Sequence, residues 1–284
     1  MRQHKLAATF AVAAVAGLVF TGASASAASG GGGCSTGQKT STMYDAVPVP
    51  LVGNMPSWGF EATQTRQFGD AIEFAAGSNR NLRTVTVTLS SWGCEQGAWQ
   101  LNNCVTTPGA TFTHPITFNV YEPDGSTLLG SKTQTFTIPF RPSASPKCTD
   151  DKAGRWWDSS RKTCYNGYAT NVTFAFTDVV LPDKVVYGIE YNTTTAGYAP
   201  IGAAACNADP HPFGCGYDAL NVGLNTTTGV IIGAQTNPGE VWMDSLIHGN
   251  YCDGGIAGTF RRDTAGIPCW VGYVPAVQFK GASK

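Results

Sequence analysis

Between positions 83 and 90, Thr84, Thr86 and Thr88 alternate with Val85, Val87 and Leu89, so an extended segment there has one apolar face and one face of hydroxyls. A period of two marks a half-buried β-strand. The segment runs directly into Trp92 and Cys94, and its chemistry recurs along the chain. Ile72 and Phe74 alternate with Ala71 and Glu73, and Ile116, Phe118 and Val120 with Thr117, Asn119 and Tyr121. Further on, Gln134, Phe136 and Ile138 alternate with Thr133, Thr135 and Thr137. Pro123-Asp124-Gly125 between those last two runs is a turn, proline presetting one dihedral and glycine accepting a positive one, so a hairpin is predicted there. Val172, Phe174 and Phe176 share one face of the next run; after a corner at Pro182 and Asp183, so do Val185, Tyr187, Ile189 and Tyr191. The last third is looser, with short strand candidates at 219–224, 230–232 and 241–243 and a closing strand at 274–279. No stretch holds a period of 3.6 over ten residues. The fold expected is all-β, an antiparallel, jelly-roll-like β-sandwich with disulfide-stapled loops and little helix.

The first residues read as an export signal: Arg2 and Lys5 form a basic head, positions 6–20 are apolar, and Ala23-Ser24-Ala25 and Ala25-Ser26-Ala27 offer cleavage frames. The division expected is a signal peptide over 1–27, a flexible Gly- and Ser-rich leader over 28–43, and a single sandwich domain over 44–284. No later apolar run reaches about 18 residues, so no membrane span is expected in the processed chain. The chain stops at Gly281-Ala-Ser-Lys284 with no apolar tail, and no anchor is expected. Removing the signal leaves 16 of the 18 basic residues against 19 acidic ones, a net charge of −3. A weakly acidic surface without Lys and Arg clusters disfavours nucleic acid and anionic membranes as partners.

Nine cysteines in an exported chain read as disulfides. Proximity suggests Cys94 with Cys104, Cys148 with Cys164, Cys206 with Cys215, and Cys252 with Cys269. Cys34 is left over behind four glycines, as a free or intermolecularly paired thiol.

Several short motifs coincide: Gly53-Asn54, Ser57-Trp-Gly-Phe-Glu-Ala62, Phe68-Gly-Asp70, the strand from Val85 to Trp92 followed by Cys94, the run from Thr135 to Arg141-Pro142, Leu181-Pro-Asp-Lys-Val-Val-Tyr-Gly-Ile189, Leu220-Asn-Val222 and Pro275-Ala-Val-Gln-Phe279. Together they resemble a group of uncharacterised exported proteins of actinobacteria and other bacteria, some of which carry variable C-terminal surface anchors. The resemblance implies an extracellular or envelope location and one β-rich domain. It brings no catalytic residues with it.

Catalytic constellations are thin. Outside the signal the histidines are His114, His211 and His248, and no Gly-x-Ser-x-Gly elbow is present. His114 and His211 lie beside prolines and read as loop residues, whereas His248 sits near Asp244 and Asp253. Glycoside hydrolysis needs two carboxyls facing across a cleft, for which Glu73, Glu95, Glu190 and Glu240 qualify by type alone; Glu190 reads as a solvated strand position. Zinc is disfavoured because no Cys-x-x-Cys pair occurs. No cofactor is expected, although structural calcium stays open at Asp150-Asp151 and Asp253-Gly-Gly255.

The best recognition candidate is the loop from Cys148 to Cys164, which holds Arg155-Trp156-Trp157-Asp158. Sugars stack their apolar faces on flat rings while charged groups read the hydroxyls. The competing reading is that one or both rings fold back onto the core. Trp99, inside the loop from Cys94 to Cys104, is a weaker platform, and Trp58, Trp92, Trp242 and Trp270 are expected in the core. The function expected is that of a secreted, non-catalytic binding or structural protein, with an extracellular glycan or envelope component as partner. The alternative is a carbohydrate-active protein, either a glycan-binding module or a glycoside hydrolase.

Overall fold

The structure is a computed structural model describing residues 39–202, 216–246, 258–263 and 270–282. The expected export signal, Cys34, the third and fourth expected disulfides (Cys206 with Cys215, Cys252 with Cys269), His211, His248 and Asp253 lie outside the described residues. In chain order the strands are β1 (Thr40–Asp45), β2 (Ser57–Gly59), β3 (Thr65–Glu73), β4 (Asn81–Ser91), β5 (Thr111–Tyr121), β6 (Leu128–Pro139), β7 (Trp156–Asp158) and β8 (Thr163–Tyr165). They continue with β9 (Tyr168–Val180), β10 (Lys184–Glu190), β11 (Leu220–Asn225), β12 (Ala234–Gln235), β13 (Val241–Ser245), β14 (Arg261–Asp263), β15 (Val274–Pro275) and β16 (Val277–Ala282). Among the described residues helix is confined to Phe60–Thr63 and two three-residue 3-10 turns.

Two seven-stranded antiparallel sheets enclose the core. One runs β1-β16-β4-β11-β15, with β9 on β4 and β2 on β11; the other runs β14-β13-β3-β10-β5-β6, with β12 on β3. The threonine-rich strand β4 is a hub: it pairs with β16, β9 and β11. Val85, Val87 and Leu89 are fully buried, as the alternation requires, while Thr84 and Thr86 stand on the other face. Phe118, Phe174, Tyr187 and Phe279 meet in the middle with ring centroids 5.5–5.6 Å apart around Phe118. Aromatic burial of this kind supplies much of the hydrophobic stabilisation of a sandwich core.

The predicted hairpin is β5–β6, in register from Thr111 opposite Pro139 to Tyr121 opposite Leu128. Its turn needs glycine at 125 for two reasons, a φ of 72° and the Trp242 ring lying against its Cα. The first strand begins inside the stretch expected to be leader. Thr40, Ser41 and Thr42 belong to β1 and pair with Ala282, Gly281 and Lys280 of the last strand, a partner too distant in sequence for local composition to reveal. His114 likewise lies within β5 and is buried, not in a loop.

Both expected disulfides among the described residues form. Cys94–Cys104 spans 5.4 Å and Cys148–Cys164 spans 5.9 Å between Cα atoms. Such bridges are characteristic of oxidising, extracytoplasmic surroundings. Among the described residues no helix is long and apolar enough to cross a membrane.

Candidate functional site

Main-chain bonds gather the two disulfide loops against the end of β6. The Arg141 amide donates to the Gly93 carbonyl, that of Ala144 to Cys104 and that of Ser145 to Arg155, each at 2.9 Å. Arg141 is fully buried between them, and its Nη2 donates to the Gly154 carbonyl at 2.6 Å. Its Nε and Nη1 have no partner among the described residues, and burial lowers its pKa to about 10.

Inside the second loop, β7 and β8 form a small hairpin with Trp157 opposite Cys164. Successive strand residues point to opposite sides, and this separates the two tryptophans. Trp156 is 6% exposed; its ring packs on Tyr165 and Tyr168, and its Nε1 donates to the Gly167 carbonyl at 2.6 Å. It cannot offer a face to a ligand, so its expected binding role is corrected to a structural one. Trp157 points the other way, is partly exposed, and carries the Lys147 ammonium 5.7 Å from its ring centroid.

A cleft of about 270 Å³ opens beside Trp157. Lys147, Lys152 and Lys162 line it together with Asp150, Asp151 and Thr163. Asp150 and Lys162 both adopt left-handed backbone conformations, with φ of 56° and 51°. Such residues are uncommon outside glycine and gather where a local geometry is imposed.

The other expected site residues are occupied locally. Asp158 accepts from the Ser160 hydroxyl at 2.6 Å and from the Ser160 and Arg161 amides, which hold its carboxyl below the usual carboxylate range. It caps a turn. Arg155 donates to the Asp151 carbonyl at 3.1 Å and so braces the wall of the cleft. Trp99 is 37% exposed and stands edge-on to Trp92 at 4.8 Å, apart from the residues lining the Trp157 cleft. Trp58 and Trp270 belong to the core as expected, whereas Trp92 and Trp242 are only half-buried.

The expected acid candidates have structural partners. Glu73 pairs with Lys184 at 3.3 Å and Glu240 with Arg262 at 3.4 Å, and Glu95 accepts from the Thr107 amide at 2.5 Å. Glu190 is half-buried and not solvated: it accepts from Asn119 Nδ2 at 3.0 Å, and burial first, then the Asp244 charge, raises its pKa. Asp244 itself is 8% exposed and accepts from the Gly258 amide at 2.7 Å. Asp150 and Asp151, the described half of the calcium expectation, stand in the Trp157 cleft, and no group of three or more metal-ligating side chains occurs among the described residues.

A second acid pair escaped the sequence reading. Glu61 accepts from the Thr195 hydroxyl at 3.1 and 3.2 Å, and burial followed by the nearby Asp218 charge pushes its pKa up. Asp218 is buried and accepts from the Thr194 amide at 2.6 Å and from the Thr194 hydroxyl. Nothing in the spacing of positions 61 and 218 signals that they meet. Comparison of the chain with protein-family models, with curated proteins and with solved structures gives no match, so the geometry of these clusters alone carries the functional argument.

Proposed function

We propose that the chain is an exported, non-catalytic β-sandwich protein that binds a saccharide at the disulfide-clamped hairpin. The observation that carries this is the outward Trp157 ring at the edge of a cleft with ammonium and carboxylate side chains within it. An aromatic plate flanked by convergent polar groups is how proteins hold sugar rings. The rigid underside supports the reading, since Trp156, Tyr165 and the disulfide fix the hairpin and cut the ordering cost of binding. The resemblance to exported bacterial proteins agrees with a role at or outside the cell envelope. Glycan-array binding of the secreted chain should be reduced about five- to a hundredfold by Trp157→Ala, consistent with about 1–3 kcal/mol for a stacked ring. An unchanged array pattern would remove the site.

Glu61 beside Asp218 favours a second reading, a glycoside hydrolase with Glu61 as proton donor. Release of reducing ends from polysaccharides, abolished by Glu61→Gln, would select it over the binding module.

A further inference from the structure

We infer that the ligand of the Trp157 cleft is an acidic saccharide, a sugar ring carrying a carboxylate or sulfate; this rests on the saccharide reading above. Three lysines and two aspartates line the cleft, so it is net positive in a chain whose overall charge is −1. Lys147, Lys152 and Lys162 are all exposed, and none forms an ion pair among the described residues. Among the described residues the positive charge therefore has no carboxylate paired with it.

The position of Lys147 discriminates between ligands. Its ammonium already lies over the Trp157 ring. A neutral sugar stacking on that face displaces the cation and offers the ammonium no charged partner in exchange. An acidic sugar can slide against the ring while its anionic group takes the ammonium as a partner, exchanging one favourable contact for a charge-assisted hydrogen bond. Asp150 and Asp151 oppose an anion placed next to them but accept hydrogen bonds from hydroxyls, so they orient the ring with its acidic group toward the lysines. The left-handed backbone at Asp150 and Lys162 sets one residue of each sign on the cleft wall.

The test is titration calorimetry of the secreted chain at low and high salt with three probes: a galacturonic acid tetramer, its methyl-esterified form, and a heparin-derived tetrasaccharide. Either charged probe should bind at least about tenfold tighter than the ester, with the advantage shrinking as salt rises. Which charged probe binds identifies the anionic group. Lys147→Gln, checked for an unchanged melting temperature, should remove most of that advantage, and Trp157→Ala should weaken every probe that binds. If the ester binds as well as the acids, the charge inference is overturned while the saccharide reading stands. If no probe binds, or Trp157→Ala leaves binding unaltered, both fall. A charged probe matched in affinity by inorganic sulfate alone would also overturn the inference, because the sugar ring would then contribute nothing.

Discussion

Replacing Asp70 with asparagine should flatten the loss of stability that the parent shows as pH rises from about 5 to 9. Asp70 lies on β3 between Phe68 and Ile72, on the side of the strand that faces the core, and is 1% exposed. Its Oδ1 accepts from the Ala71 amide at 2.8 Å and its Oδ2 from Gln235 Nε2 at 2.7 Å. The hydroxyls of Tyr44 and Tyr187 are buried, have no hydrogen-bond partner among the described residues, and feel the Asp70 charge. Burial outweighs the two accepted hydrogen bonds and pushes the carboxyl up to about 8. In the unfolded chain it titrates near 3.9. A carboxyl whose folded value is raised contributes stability while it stays protonated. That contribution is complete below about pH 4 and is lost as pH rises through about 8. At about 1.36 kcal/mol per unit, the full window is worth about 5–6 kcal/mol as a ceiling; relaxation and water entry around a buried charge reduce it to about 2–4 kcal/mol. Asparagine stays neutral but turns an amide N–H toward one of the two donors, which costs about 1–3 kcal/mol at every pH. The variant should therefore be weaker than the parent near pH 5 and equal or stronger near pH 9. Urea unfolding followed by tryptophan fluorescence at each pH reads this directly, and the comparison cancels the titration of Glu61, Glu190 and His114. Parallel stability profiles for the two proteins would refute the reasoning.

Trp156→Ala should destabilise by about 3–5 kcal/mol, seen as a lower denaturation midpoint, whereas Trp157→Ala should cost less because its ring is partly exposed. Gly125→Ala should cost more than about 1 kcal/mol by thermal melting, since the new methyl meets both a positive φ and the Trp242 ring. Arg141→Met should be neutral or stabilising by about 1–4 kcal/mol in urea, because it removes a buried charge with two nitrogens that have no partner among the described residues, while Arg141→Ala should destabilise through the void it leaves. Non-reducing peptide maps should recover Cys94 joined to Cys104 and Cys148 joined to Cys164, and reducing both should cost at most about 3 kcal/mol each.

Strand identity was legible along most of the chain because it depends on a period of two, which a local window contains. The alternation through Thr84 to Leu89, the β5–β6 turn at Pro123-Asp124-Gly125 and the row Val172, Phe174, Phe176 all carried it. One signal was present and passed over: Asp70 sits two positions before Ile72 on the apolar row, so a buried carboxyl could have been read from the same pattern. The two disulfides among the described residues were legible for the same local reason, as near neighbours in sequence.

Meetings between distant segments were not. Thr40 pairs with Ala282, Glu61 approaches Asp218, and Arg141 is enclosed by loops closed at Cys104 and Cys164; each depends on how two curved sheets close on one another. The tryptophan pair marks the boundary most sharply. Adjacent Trp156 and Trp157 in a polar, cysteine-closed loop were visible in the residues, but whether each turned inward or outward required knowing that the loop holds a short β-hairpin and which side of it lies on the molecule. Composition and periodicity are local properties of a chain, whereas burial of a particular ring is set by whatever the remainder of the fold brings against it.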